Sequence, residues 1–222
     1  MRLYLCHLTF HENLFYATRE MGRLYETGRY LHNYALTYAL GLAVAPYFHQ
    51  RQIPHYEEEL TPLNQYGTYV TPARGVDVRY ELVTFKFADN AYHLEMVSKR
   101  RNIPSYGRAK EIAVGSRFEF ALVSQESVSL PRWVRMGLWS SKAQLECLGE
   151  GKVEMLQLSE RVASLPLNPL DVTGDLHIYD LISMPPSSLV ENALVRTRWL
   201  QAEVAGRVIL LPAHMAYTFP DA

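Results

Sequence analysis

The sequence predicts an α+β fold, and three observations predict it. Residues 2–10, RLYLCHLTF, are largely apolar on both alternating sets, as a strand covered on both faces must be. Residues 29–42 put Tyr30, Tyr34 and Tyr38 at spacings of four, with Leu31, Ala35, Ala39 and Leu42 beside them, which is a helical pattern. Beyond residue 78 the chain is mostly alternating segments rich in β-forming residues. Strand, helix, then several strands is the order of a split βαβ, so a ferredoxin-like start is the specific expectation.

The first strand ends at Phe10, and HENLFYATREMGRLYETGR reads as a loop feeding the helix. The helix spans Arg29 to Leu42, with Thr27 or Gly28 as its cap and Gly41 near its end. Pro46, Pro54, Pro62 and Pro72 break up the next segment, so residues 46–77 read as an excursion from the core, a protruding hairpin. Residues 78–87 and 92–97 form a strand pair around the turn ADNA. SKRRNIPSYGRAK (98–110) is a basic loop, 112–124 a strand, and WVRMGLWSSKAQLECL after Pro131 another. Residues 152–165 are mixed, PLNPLDVTGD is a loop, and HIYDLISM and VILLPAHMAYTF are strands. SSLVENALV is a short helix or a connecting strand.

Composition excludes several classes. With 22 Lys and Arg against 23 Asp and Glu, the net charge of -1 argues against a free-standing, indiscriminate nucleic-acid binder, though it leaves room for a local basic groove. No run has the length or apolarity of a signal peptide core or a spanning helix, and a cytoplasmic protein without membrane contact is expected. Cys6 and Cys147 lie in strand-like runs without metal spacing and read as two buried small hydrophobes.

No HExxH, GxSxG or P-loop pattern and no DxD-type run with a glycine turn is present, and no pair of the eight histidines has metal-ligand spacing. The sharpest enzymatic reading is a metal-independent endoribonuclease with His32 as general acid or base. The bland reading, a surface or satisfied buried histidine, outweighs it: at helical spacing His32 points away from Tyr34, and no lysine is near.

Binding has better candidates. The loop after the first strand carries Arg19, Arg23 and Arg29 with Tyr25, beside a helix start that favours anions. Lys99, Arg100, Arg101, Arg108 and Lys110 form a run without an acid, and Tyr106 within it is a stacking candidate. For both segments, ordinary solvated charge or internal salt bridges is an equal alternative. Lys142 lies near Trp133 and Trp139, of which at least one is expected in the core.

The run LTFHENLFYATREMGRLYETGRYLHNYALTYALGL resembles the N-terminus of the type I-D Cas-family-five proteins, the Csc subfamily. WVRMGLWSSKA is similar to a glycine-bearing strand of the wider RAMP superfamily. The glycine-rich loop of that superfamily is thin here, reduced to Gly149 and Gly151. The resemblance implies one RAMP unit over 1–222: an RRM-like core over 1–130, a thumb within 46–77, and a β-rich part over 131–222. It implies no cofactor and a non-catalytic Cascade subunit. That subunit would cap the 5′ handle of the guide RNA, contact the backbone and large subunits, and help recognise target DNA near the PAM.

Overall fold

A computed structural model describes residues 1–45, 54–86 and 106–219. In chain order the elements are β1 (Arg2–Phe10), β2 (Arg19–Met21), β3 (Leu24–Glu26), β4 (Tyr30–Leu31), α1 (Asn33–Ala39), α2 (Tyr56–Leu60), β5 (Tyr69–Val70), β6 (Ala73–Asp77), β7 (Tyr80–Lys86), β8 (Tyr106–Ile112), β9 (Arg117–Ser124), β10 (Trp133–Met136), β11 (Ser141–Lys152), β12 (Glu154–Val162), β13 (Asp175–Ile182), β14 (Leu189–Val204) and β15 (Arg207–Pro212). Short 3-10 turns lie at Thr61–Tyr66 and Pro169–Asp171.

The main sheet has the order β10-β11-β1-β9-β6-β4, with β5 also on β9. β1 is central because both its alternating sets are apolar. Tyr4, Cys6, Leu8 and Phe10 face the core shared with Leu36 of α1 and Leu40, its C-cap. Leu3 and Leu5 face the other way, onto Leu200, Ala202 and Val204 of β14 and Ile209 and Leu211 of β15. Each fully buried leucine contributes about 1.5–3 kcal/mol, so β1 holds both layers to the sheet. β1, α1 and β5–β6 form a βαβ path with β9 inserted antiparallel between its strands. The second sheet, β12-β14-β13 with β15 on β14, closes over one half of the far face.

That closure explains the two glycines of GEGK. They sit inside β11, not in a loop, where the strand runs against β14. A Cβ on Gly151 would lie 2.6 Å from the Glu203 carbonyl oxygen and 2.8 Å from Val204. Gly151→Ala is expected to cost about 1–3 kcal/mol by overpacking. Urea unfolding measures this, and a loss under about 0.5 kcal/mol would refute the tight approach.

Several boundaries differ from the sequence expectation. The helix starts at Asn33, not Arg29, because Tyr30 and Leu31 pair with Arg74 and Ala73 of β6. Its cap is His32, whose side chain accepts from the Tyr34 amide, not Thr27 or Gly28. From residue 54 onward the expected excursion is packed, not protruding: Leu60, Leu63 and Tyr69 share a cluster with Tyr34 and Tyr217, and β5 and β6 join the main sheet. Residues 46–53 lie outside the described residues, as do 87–105 with the expected strand at 92–97. Residues 106–110 of the basic segment are in strand β8. The predicted strand 112–124 splits at Gly115, whose φ of +85° suits a turn residue without a Cβ. SSLVENALV enters β14. β10 and β11, assigned by sequence to the C-terminal part, belong to the main sheet beside β1. Among the described residues, no helix is long and apolar enough to cross a membrane.

Candidate nucleic-acid interface

Two surfaces collect the exposed cations and aromatics. The first is a small sheet, β2-β3-β8-β7, beside the main one. Period-two alternation puts Tyr106, Arg108 and Lys110 of β8 on one face. Lys110 stands opposite Glu26 of β3, and Glu26 opposite Arg19 of β2. The Glu26 carboxylate takes Lys110 at 2.6 Å and Arg19 at 3.8 Å, and the Lys110 bond holds its carboxyl below the usual range. Lys110 also sits 4.1 Å over the Tyr80 ring. Arg19 and Lys110 are thus tied internally. On the next rung Arg108 faces Leu24 and Thr84, with no carboxylate partner among the described residues. Tyr106, 48% exposed, follows it.

Tyr25 points the other way, its ring 6.2 Å from Phe85, into a groove of about 930 Å³. Phe15, Tyr16, Tyr38, Tyr56 and Trp139 also line this groove, with Ala35 and Ala39 of α1 as its floor. Trp139 stacks on Phe15 at 5.0 Å. The Tyr16 hydroxyl donates to the Tyr30 carbonyl, with the Gly28 carbonyl 3.2 Å away, fixing the loop that the sequence placed before the helix. Arg29 donates to the Gly75 carbonyl at 3.1 Å, which ties it to β6. Arg23 is exposed next to β3, and its carbonyl accepts from the Arg108 amide.

The second surface is the half of the main sheet that the second sheet leaves open. Register sets two rows across it: Trp133, Gln144, Thr9, Arg117 and Asp77, then Glu146, His7, Glu119 and Arg74. Lys142 lies 4.2 Å over the Trp133 ring and has no carboxylate partner for its ammonium among the described residues, while the His11 ring packs 5.1 Å from the same indole. Arg135, opposite Lys142, reaches Glu12 at 3.7 Å. Neither Trp133 nor Trp139 is in the core, contrary to expectation; the buried tryptophan is Trp199. Deeper in, Glu119 is 1% exposed and meets His7, Arg74 and Arg207. Burial pushes its carboxyl up, but Arg207, His7 and Arg74 more than reverse this and hold it below the usual range.

The sequence candidates therefore separate. Tyr106 and Arg108 share one surface, Lys142 lies on the other, and Tyr25 faces the groove. Lys99, Arg100 and Arg101 lie outside the described residues. Sequence reasoning missed His7, Arg74, Arg117 and Arg207. Their only signal was polar residues on one alternating set of otherwise apolar strands. His32 is 3% exposed, not a surface group. Its Nδ1 accepts from the Tyr34 amide at 3.2 Å and its Nε2 lies 2.9 Å from the Ser187 hydroxyl. Burial pushes its pKa down to about 4. Its ring packs on Tyr34 at 4.5 Å, so capping overrides the expected separation of the two side chains.

The family model for the type I-D CRISPR-associated protein Cas5/Csc1 matches residues 1–220. This chain belongs to that family. Membership carries the coarse function with it, a Cascade subunit in CRISPR defence. The mostly-strand α+β architecture agrees with a Cas5 RAMP-like fold. No curated protein matches the chain.

Proposed function

We propose that this Cas5/Csc1 chain is a non-catalytic subunit that grips the 5′ handle of the guide RNA, contacts the backbone and large subunits, and assists recognition of PAM-bearing DNA. The observation that carries the grip is the placement of exposed Arg108 and Tyr106 on one face of β8 and of Lys142 over the Trp133 ring. A cation neutralises phosphate and a ring stacks on an unpaired base, which together suit single-stranded RNA. The split βαβ sheet, with α1 on one face and an open half on the other, supports an RRM-like reading. The antiparallel strand pair β7–β8 takes the role of thumb in place of 46–77. In support, Tyr80, Leu82, Tyr106 and Arg108 of its strands are exposed.

Arg108→Glu and Lys142→Glu are each expected to weaken guide-RNA retention by the assembled complex. Each should also lower the salt slope of binding by about one. Retention and slope unchanged in the double variant would sink the grip. The non-catalytic part is supported by His32, whose two ring nitrogens are both engaged below the surface. Repeat RNA incubated with the purified chain without metal is expected to stay intact; cleavage that is lost in His32→Ala would reverse the assignment.

A further inference from the structure

Cys6 and Cys147 are direct partners across the antiparallel β1–β11 ladder. Residues so opposed have Cα atoms about 4.5–5.5 Å apart, inside the range a disulfide spans. A bulge at this point takes up the extra residue Leu148 between Cys147 and Gly149. Cys6 and Leu145 both belong to the core on the α1 side, and Cys147, two residues from Leu145, shares that face. The Cys147 thiol donates to the Gly149 carbonyl at 3.4 Å. The two environments differ: Cys6 is fully buried, whereas Cys147 is exposed, contrary to the expectation of two buried thiols.

We propose that Cys147 is a thiol-modification site that reacts with low-molecular-weight disulfides of the glutathione class, and that Cys6 is its resolving thiol. The Cys147 thiolate attacks one sulfur of the small disulfide, forming a mixed disulfide and expelling one thiolate. The Cys6 sulfur then attacks Cys147, closing the cross-strand bond and expelling the second. Two protein thiols are oxidised, one small disulfide is reduced to two thiols, and the two protein protons end on those thiols. An accessible thiol poised beside a second, resolving thiol is the arrangement of redox-sensing pairs. The neighbouring Cys6 thiol, against burial, brings the Cys147 thiol down to about 6, and the same interaction together with burial pushes Cys6 up, so Cys147 supplies the attacking thiolate.

The full chain treated with glutathione disulfide at neutral pH is expected to lose both free thiols. Peptide mapping should then show one Cys6–Cys147 bridge. Cys6→Ser should stop at glutathione attached to Cys147, and Cys147→Ser should leave Cys6 unreacted. In the unsubstituted chain, alkylation of Cys147 by iodoacetamide should be half-maximal near pH 6, and shift upward on unfolding in urea. Retention of both thiols by the folded chain under conditions that oxidise the unfolded one would overturn the proposal. So would identical alkylation profiles for folded and unfolded chain.

Discussion

Glu119→Ala is expected to lower folding stability by about 3 kcal/mol, the lower end of what breaking a buried ion pair costs. Glu119 sits mid-strand on β9, directly opposite His7 of β1 and Arg74 of β6. Arg207, at the start of β15, reaches it from the second sheet. The carboxylate thus links strands of two sheets at the margin where their apolar contact ends. Burying a carboxylate is costly unless it is paired, and here the pairing outweighs the burial. Removing it leaves His7, Arg74 and Arg207 facing one another. The side chains of Arg74 and Arg207 are 33% and 46% exposed, so both can turn partly to water. That relief keeps the loss near the bottom of the range. Arg207→Ala alone should cost about 1 kcal/mol, as partly exposed pairs do. A double-mutant cycle on Glu119 and Arg207, read by urea unfolding, should give a coupling of about 0.5–3 kcal/mol. Independent, additive effects would mean that the carboxylate does not bridge the sheets. Because the same residues line the open half of the main sheet, Glu119→Ala should also loosen the surface that carries Trp133 and Lys142.

The fold was legible where one alternation decides it. RLYLCHLTF is apolar on both sets, and β1 is central with a core on each face. The helix was legible in its Leu36–Leu40 half but not at its start. Tyr30 and Leu31 fit a helical repeat as well as a strand, and only their pairing with Arg74 and Ala73 of β6, remote in sequence, decides between them. Pro54, Pro62 and Pro72 concealed packed structure because Pro62 occupies the first turn of a 3-10 helix, where its missing amide costs nothing. The site was less legible. A run of cations in sequence does not show which ones meet carboxylates, and Glu26 takes up both Arg19 from the adjoining strand and Lys110 from 84 residues away. The open half of the sheet is assembled from β1, β6, β9, β10 and β11, so no single window of sequence contains it. Cys6 and Cys147 looked alike as small hydrophobes in strands; their difference in exposure comes from their positions on central β1 and on β11 beyond the end of its pairing with β10.

Below the helix start lies a buried polar network whose pH response is the second large effect. Asn33 and Tyr69 donate to Asp171 at 2.8 and 2.9 Å, and the Thr218 amide donates at 3.0 Å. Burial raises the Asp171 carboxyl from 3.8 to about 6 despite these bonds. Nearby His32, joined to the network through Ser187 and Asn168, is lowered from 6.5 to about 4. The two signs oppose each other. Asp171 binds its proton more tightly when folded, so its contribution is present below about pH 4 and is lost as pH rises through about 6. His32 binds its proton less tightly when folded, so its contribution is present above about pH 6.5 and is lost as pH falls through about 4. Each shift is roughly two units, or roughly 3 kcal/mol, over nearly the same window, so the pair leaves stability almost flat there. Substitution of either should uncover the other. Asp171→Asn should lose stability as pH falls from about 6.5 to about 4. His32→Asn, which keeps a capping acceptor, should lose it as pH rises over the same range. Urea midpoints taken every half unit and expressed as differences from the unsubstituted chain remove the contributions of Glu119 and the other carboxylates. Constant offsets for both variants across the window would show that neither group changes its proton affinity on folding. Opposite slopes would show that α1, the 3-10 turn at Pro169–Asp171 and the C-terminal tail are held by a network that balances its own protonation, and would place His32 firmly inside the scaffold.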